Sequence, residues 1–171
     1  MYKRFGEFDS AAEINETAVN LRKEGDTESI RVLARENGID EDIVDVFLEG
    51  DILYLCDAMS AAIGKIEVEA ADMQAREIMA DWAEYIKARC FEDEAMSHAV
   101  RSKEKSLKGC IGALLAWSFN HQIPVDEKIM KAAGVKASKC TLGIPGIGTA
   151  KQIITEYYLG EAGGRHEKES D

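Results

Sequence analysis

The side chains able to do chemistry in this 171-residue chain are few and scattered. Its histidines, His98, His121 and His166, have no acid or cysteine at a spacing that would make a catalytic triad or a metal site. Their plain reading is surface or helix-end residues. The cysteines, Cys56, Cys90, Cys110 and Cys140, lie far apart, with no C-x-x-C pair and no histidine at ligand spacing. Each sits in or beside an apolar segment and reads as a reduced core thiol. The chain is therefore expected to be no enzyme, with no catalytic residue, no cofactor and no metal.

The pattern with the most chemical content is the run of residues 36–57, ENGIDEDIVDVFLEGDILYLCD. It holds eight acids, Glu36, Asp40, Glu41, Asp42, Asp45, Glu49, Asp51 and Asp57, and no Lys or Arg. Charge runs are usually solvated faces. Acids clustered without bases also set up a field that steers a basic partner, and spaced carboxylates can stand in for DNA phosphates on a nucleic-acid-binding protein. The helix that carries them predicts which acids are free to act. Ile43, Val44, Phe47 and Leu48 take the inner face, leaving Glu41, Asp42, Asp45 and Glu49 as the candidate partner-binding residues.

The net charge of −11 is unevenly spread. Residues 1–96 carry 24 acids against 10 bases, whereas residues 97–160 carry 4 against 9. The acidic half would repel free nucleic acid, so a basic protein surface is the expected partner and direct nucleic-acid binding is not. No apolar run at the start resembles a secretory signal, and the longest, residues 110–119, is too short to span a bilayer. The expectation is a cytoplasmic protein with no membrane contact.

Three short helices are expected first. Ser10 and Glu13 form a capping box ahead of Ile14, Ala18 and Leu21; Asp26 caps a helix carrying Ile30, Leu33 and Ala34, closed by Gly38; Asp40 caps the third, closed by Gly50. Three helices with tight turns suggest a helix-turn-helix, but the third would turn its acids toward phosphate. A helical cap on a larger bundle fits better. Residues 51–91 contain no proline and one glycine, and Met59, Ile63, Ile66, Ala70 and Met73 continue into Ile78, Trp82, Tyr85 and Ile86. This predicts one long helix or two nearly collinear ones, about 60 Å at about 1.5 Å per residue, bent near Gly64 or Asp72.

Residues 106–121 (SLKGCIGALLAWSFNH) are apolar on two sides. Leu107, Cys110, Ile111, Leu114, Leu115 and Ser118 lie on one face, and Gly109, Gly112, Ala113 and Ala116 on the other. The pattern predicts a helix buried all round that organises the rest. Asp126 caps a further short helix, with Val125 stapled to Met130, and it stops at Gly134. The Gly-rich run of residues 143–148 (GIPGIG) lacks the G-K-[ST] ending and the preceding strand of a phosphate loop. It shares a P-G-I-G core with helix-hairpin-helix motifs, but Ala150 stands two rather than four residues beyond the last glycine. It reads as a turn delivering a last helix, with Thr149 and Gln152 as capping box and Ala150, Ile153, Ile154, Tyr157 and Tyr158 as the apolar face.

Residues 84–160 resemble the PcfK-like proteins of conjugative plasmids and other bacterial mobile elements. The resemblance is carried by KSLKGC at residues 105–110, the apolar helix after it, the helix of residues 126–133, and Glu156, Tyr157 and Tyr158. With its FGEFDSAAEIN opening and WAEYIKARCFED middle, the whole chain also resembles small Firmicutes mobile-element proteins grouped with that family. Some members of the group are anti-CRISPR proteins that inhibit the RNA-guided nuclease of type II systems. The resemblance implies no catalytic residues. It implies a non-enzymatic, protein-binding inhibitor of a type II CRISPR nuclease, acting through the acidic surface, or alternatively an accessory or structural protein of conjugative or phage mobile-element transfer. The pattern also admits a homo-oligomer.

The expected fold is all-α, a helical bundle with a long central helix and a small acidic N-terminal helical cap. The expected divisions are residues 1–50 for the three-helix cap, 51–160 for the PcfK-like helical domain and 161–171 for a disordered tail.

Overall fold

A computed structural model describes residues 2–160; the tail expected over residues 161–171 lies outside the described residues. The described chain is mostly helical, as the periodicities predict, with one two-residue antiparallel ladder. Three helices come first: α1 (Ala11–Glu24), α2 (Thr27–Glu36) and α3 (Glu41–Glu49). Ser10 accepts from the Glu13 amide at 3.2 Å, while the Glu13 carboxylate reaches back to Asp9 N rather than to the cap residue. Gly25 and Gly50 close α1 and α3 in the left-handed region that glycine enters without strain. Ile14, Ala18, Ile30, Leu33, Val44 and Phe47 fill a core among them. Ile43, expected on that inner face, is instead exposed, because Val44 and Phe47 set the buried direction of α3.

The 51–91 segment departs from expectation. It forms α4 (Ala58–Asp72) and α5 (Ile78–Glu92), and α5 packs back against α4, so the long central helix is a helical hairpin. The break comes just after Asp72, where Gln74 and Glu77 both take φ of +52°, an uncommon region for non-glycine residues. Gly64, the other expected bend, lies within α4 and has a different task. A Cβ there would collide with the Asn37 carbonyl, and one on Gly38 would collide with the Gly64 backbone. These two glycines let the end of α2 rest directly on α4.

The central element is α4. It packs against α5, α6 (Glu94–Arg101) and α7 (Leu107–Asn120), and Ala61, Ala62, Gly64, Lys65, Ile66 and Glu69 are all buried along it. A second core forms from Ala62, Ile66, Ile86, Met96, Val100, Leu107, Leu114, Ile154 and their neighbours. The helix expected to organise the molecule, α7, is therefore not buried all round. Only Leu107, Cys110 and Leu114 are buried on it, while Gly112, Leu115, Ala116 and Phe119 face outward. Its small face is used at one point, where Gly109 leaves room for the Tyr157 hydroxyl, which accepts from Ser106 N at 3.2 Å.

Beyond α7, β1 (Ile123–Pro124) pairs with β2 (Thr141–Leu142) around α8 (Glu127–Ala132), and α9 (Ile147–Leu159) closes the fold. The expected Thr149–Gln152 capping box does not form. The glycine-rich turn starts α9 at Ile147 with Gly146 as its cap, leaving Thr149 inside the helix and Gln152 donating to Glu156 at 2.8 Å.

Candidate functional site

The four acids chosen on α3 do share one outward face, but they are not equivalent. Arg31 on α2 reaches Glu41 at 3.0 Å and Asp45 at 2.6 Å. Asp42 and Glu49 are exposed and form no ion pair among the described residues. Two other acids of the run serve the fold. Glu36 accepts from the backbone amides of Lys3 and Arg4 at 2.8 Å and Phe5 at 3.2 Å, tying the N-terminal segment to α2. Partial burial works against its ionised form, but those amides together hold its carboxyl below the ordinary glutamate value. Asp57 caps α4 by accepting from Ser60 N at 2.7 Å, and hydrogen bonds from Ser60 lower its pKa. The free negative surface is thus smaller than the sequence run: among the described residues its exposed acids without an ion pair, the capping Asp57 aside, are Asp40, Asp42, Glu49 and Asp51, of which Asp42 and Glu49 lie on α3.

The loop after α3 carries a feature that pattern reading missed. Leu53 and Tyr54 are 68% and 66% exposed, yet the loop is held on both sides of them. The Arg22 guanidinium stacks on Phe47 at 4.2 Å and donates to the carbonyls of Phe47 at 2.8 Å and Ile52 at 3.4 Å. Asn15 accepts from the amides of Leu55 and Cys56 at 2.8 and 3.1 Å and donates to the Cys56 carbonyl at 2.7 Å. Two large side chains stand out from a pinned backbone between Glu49, Asp51 and Asp57.

On the C-terminal half the outward face of α7 meets the start of α5 and the turn after β2. Ile78, Met79, Trp82, Leu115, Phe119 and Ile144 line an apolar groove of about 410 Å³. Leu115 and Phe119 are 54% and 74% exposed. Beside it a second depression contains Trp82, Tyr85, Pro145 and Ile147, with Asp81 and Lys151 at its edge. Uncovered apolar grooves of this kind are a common setting for binding on folded chains. The α7 periodicity did show apolar residues on more than one face; nothing in the sequence said that one face would stay uncovered.

A third cluster is buried where the N-terminal helices meet α4 and α6. Lys65, fully enclosed, donates to the carbonyls of Ser102 at 2.7 Å and Lys105 at 2.8 Å and pairs with Glu7 at 2.6 Å. Glu69 accepts from Leu107 N at 2.5 Å, and burial raises its carboxyl pKa against the pull of that amide and of Lys65. Arg101 donates through Nη2 to Phe8 O at 2.9 Å and Asn37 Oδ1 at 3.1 Å. Burial also pushes Tyr2, beside Arg101, up to about 12. With its carbonyl and carboxylate partners internal, this cluster joins two halves of the fold.

The remaining chemical candidates stay apart. Burial pushes the thiols of Cys56 and Cys110 up to about 12 and that of Cys90 up to about 11, which suppresses their nucleophilic thiolate. His121 stacks on Trp117 at 4.2 Å at the end of α7, and His98 lies 3.6 Å from Glu94 on α6. Among the described residues no three His, Cys, Asp or Glu side chains gather as a metal site, and no helix is long and apolar enough to cross a membrane. Set against protein-family models, curated proteins and solved structures, the chain finds no match.

Proposed function

We propose that this protein acts by binding another protein, without catalysis or cofactor, and that it inhibits a type II RNA-guided CRISPR nuclease by seating the acidic face of α3 on a basic surface of that enzyme. The supporting observation is the pair Asp42 and Glu49. Both are exposed, neither has an ion-pair partner among the described residues, and both project from a helix anchored through buried Val44 and Phe47. Such carboxylates accelerate encounter with a basic partner and repel free nucleic acid. The choice of nuclease comes from the resemblance to PcfK-like and anti-CRISPR proteins, and a cytoplasmic setting goes with it.

The test is a DNA-cleavage assay with several type II nucleases and added protein. The expected result is inhibition that weakens as salt rises and is lost in a folded Asp42→Lys/Glu49→Lys variant. Absence of inhibition across those nucleases, with folded protein, overturns this reading. The apolar groove favours a second one, an accessory protein of mobile-element transfer that binds another transfer protein or its own copy, because an inhibitor working through charge alone has no use for an uncovered apolar face.

A further inference from the structure

We infer that Leu53 and Tyr54 are the anchor of the acidic contact: they enter an apolar depression rimmed by lysine and arginine side chains on the partner protein, while the carboxylates around them meet that rim. This rests on the first reading above, in which the acidic face docks on a basic surface of a type II nuclease. It assigns the holding of the complex, as distinct from its formation, to a different pair of residues.

The loop after α3 sorts its apolar side chains sharply. Leu55 is buried and Ile52 packs against the core among α1, α2 and α3, while Leu53 and Tyr54 between them turn out to solvent. One exposed apolar side chain on a surface is ordinary. Two adjacent large ones on a fixed backbone have the form of an interface anchor, and tyrosine adds contact area at the cost of few side-chain torsions. The backbone is fixed on both sides, by Arg22 at the carbonyls of Phe47 and Ile52 and by Asn15 at the amides of Leu55 and Cys56. Little freedom therefore remains to be lost on docking.

Charge selects the partner. Glu49 and Asp51 precede the pair and Asp57 follows it, in a run of residues 36–57 that holds no Lys or Arg. Glu49 and Asp51 are exposed and form no ion pair among the described residues, as are Asp40 and Asp42 at the start of α3. Carboxylates so placed repel the phosphates of nucleic acid and of anionic lipid headgroups. Docked on a neutral apolar surface they would lose water and gain no counter-charge. The fitting surface is a protein depression with a cationic rim. A second copy of this chain does not supply one, because no charged side chain lines its apolar groove between α5 and α7, and Glu77 and Asp81 stand beside that groove's α5 wall.

The two kinds of residue then act on different rates. Free carboxylates draw the partners together from a distance, and the Leu–Tyr pair resists separation once water has been excluded.

The test uses several type II nucleases, each immobilised with and without its guide RNA, and records association and dissociation of the full chain at low and high salt. Leu53→Ser/Tyr54→Ser should speed dissociation about 30-fold, the scale of losing a central anchor, and leave association and its salt dependence near those of wild type. Asp42→Lys/Glu49→Lys should do the reverse, slowing association about 10-fold at low salt. Hydroxyl-radical labelling reads the same contact without any substitution: Leu53 and Tyr54 should be labelled in the free wild type and protected in the complex. A folded Leu53→Ser/Tyr54→Ser variant that dissociates like wild type, or a complex in which the two residues stay labelled, overturns the inference and leaves the acidic-face reading standing. A wild type that binds none of the nucleases overturns both. Self-association of the free chain that protects Leu53 and Tyr54 would give the pair to a second copy and overturn the inference too.

Discussion

The outward faces of α3 and α7 show two ways of finishing a half-buried helix. Both helices anchor a narrow inner stripe, Val44 and Phe47 on α3 and Leu107, Cys110 and Leu114 on α7. Outside, α3 presents Glu41, Asp42, Asp45 and Glu49, whereas α7 presents Gly112, Leu115, Ala116 and Phe119. A carboxylate face keeps a helix soluble whether or not it has a partner. An exposed Leu and Phe in a groove do nothing for a solitary chain, so the apolar face is the one whose existence asks for an occupant. The acidic face of α3 could serve solubility alone, whereas contact is the use proposed for the apolar face of α7.

The comparison holds only if the fold is secured elsewhere, and the buried joint is where substitution should cost most. Replacing Lys65 by Met leaves two carbonyls and the Glu7 and Glu69 carboxylates without their cation. Removing one partner of a buried charge cluster costs about 3–5 kcal/mol, so Lys65→Met should lower the urea midpoint more than any surface change discussed here. A loss below about 1 kcal/mol, the usual scale of an exposed pair, would show that the joint does not hold the halves together.

Next comes the inner stripe of α7. Leu114→Ala empties a fully buried site and should cost about 2–5 kcal/mol in denaturant unfolding. A near-neutral result would mean that α7 is peripheral on both faces.

A smaller effect should distinguish acids that hold structure from acids that are displayed. Glu36 has a folded pKa below its ordinary value, so its anchorage of residues 3–5 adds stability above pH of about 4.5 and gives it up as pH falls through the folded value. Amide resonances of Lys3 and Arg4 should titrate together below the ordinary glutamate range. Glu36→Gln should abolish that titration; persistence of it would show that another group is responsible.

Smallest of all should be the stability effect of Asp42→Lys/Glu49→Lys, within about 0.5 kcal/mol by thermal unfolding, since both side chains point to solvent. Asp45→Lys should be worse than either, because it sets a second cation against Arg31. If all three cost the same, the Arg31 pairing carries no weight in the difference between the two faces.

What the sequence told of this molecule follows a physical line. Ser10, Asp26 and Asp126 cap helices through local hydrogen bonds, and Gly25, Gly50 and Gly134 end them through a left-handed residue; such signals act within one turn and can be read in one dimension. A bend near Asp72 was legible, but the reversal of the chain there was not, since Gln74 and Glu77 take positive φ without any glycine or proline to announce it. Gly64 announced a bend and instead made room for Asn37 and Gly38, a contact 26 residues distant that no local pattern contains. The acid face of α3 was legible as a face. Its division by Arg31, ten residues before Glu41, and the pinning of Leu53 and Tyr54 by Arg22 and Asn15 depend on which helices pack together. Likewise α7 could be seen to be apolar on several sides, but which side would meet α4 and α9 was settled only by packing.

The central claim is that the outward face of α7 exists for docking and not for folding. Its most direct test is the unfolding free energy of Leu115→Ser/Phe119→Ser, measured by denaturant at concentrations where the protein is monomeric and compared with Leu114→Ala. The expected result is a value within about 0.5 kcal/mol of wild type, far from the loss at Leu114. A loss as large as that of Leu114→Ala would contradict the claim and make this face part of the core that folds the chain.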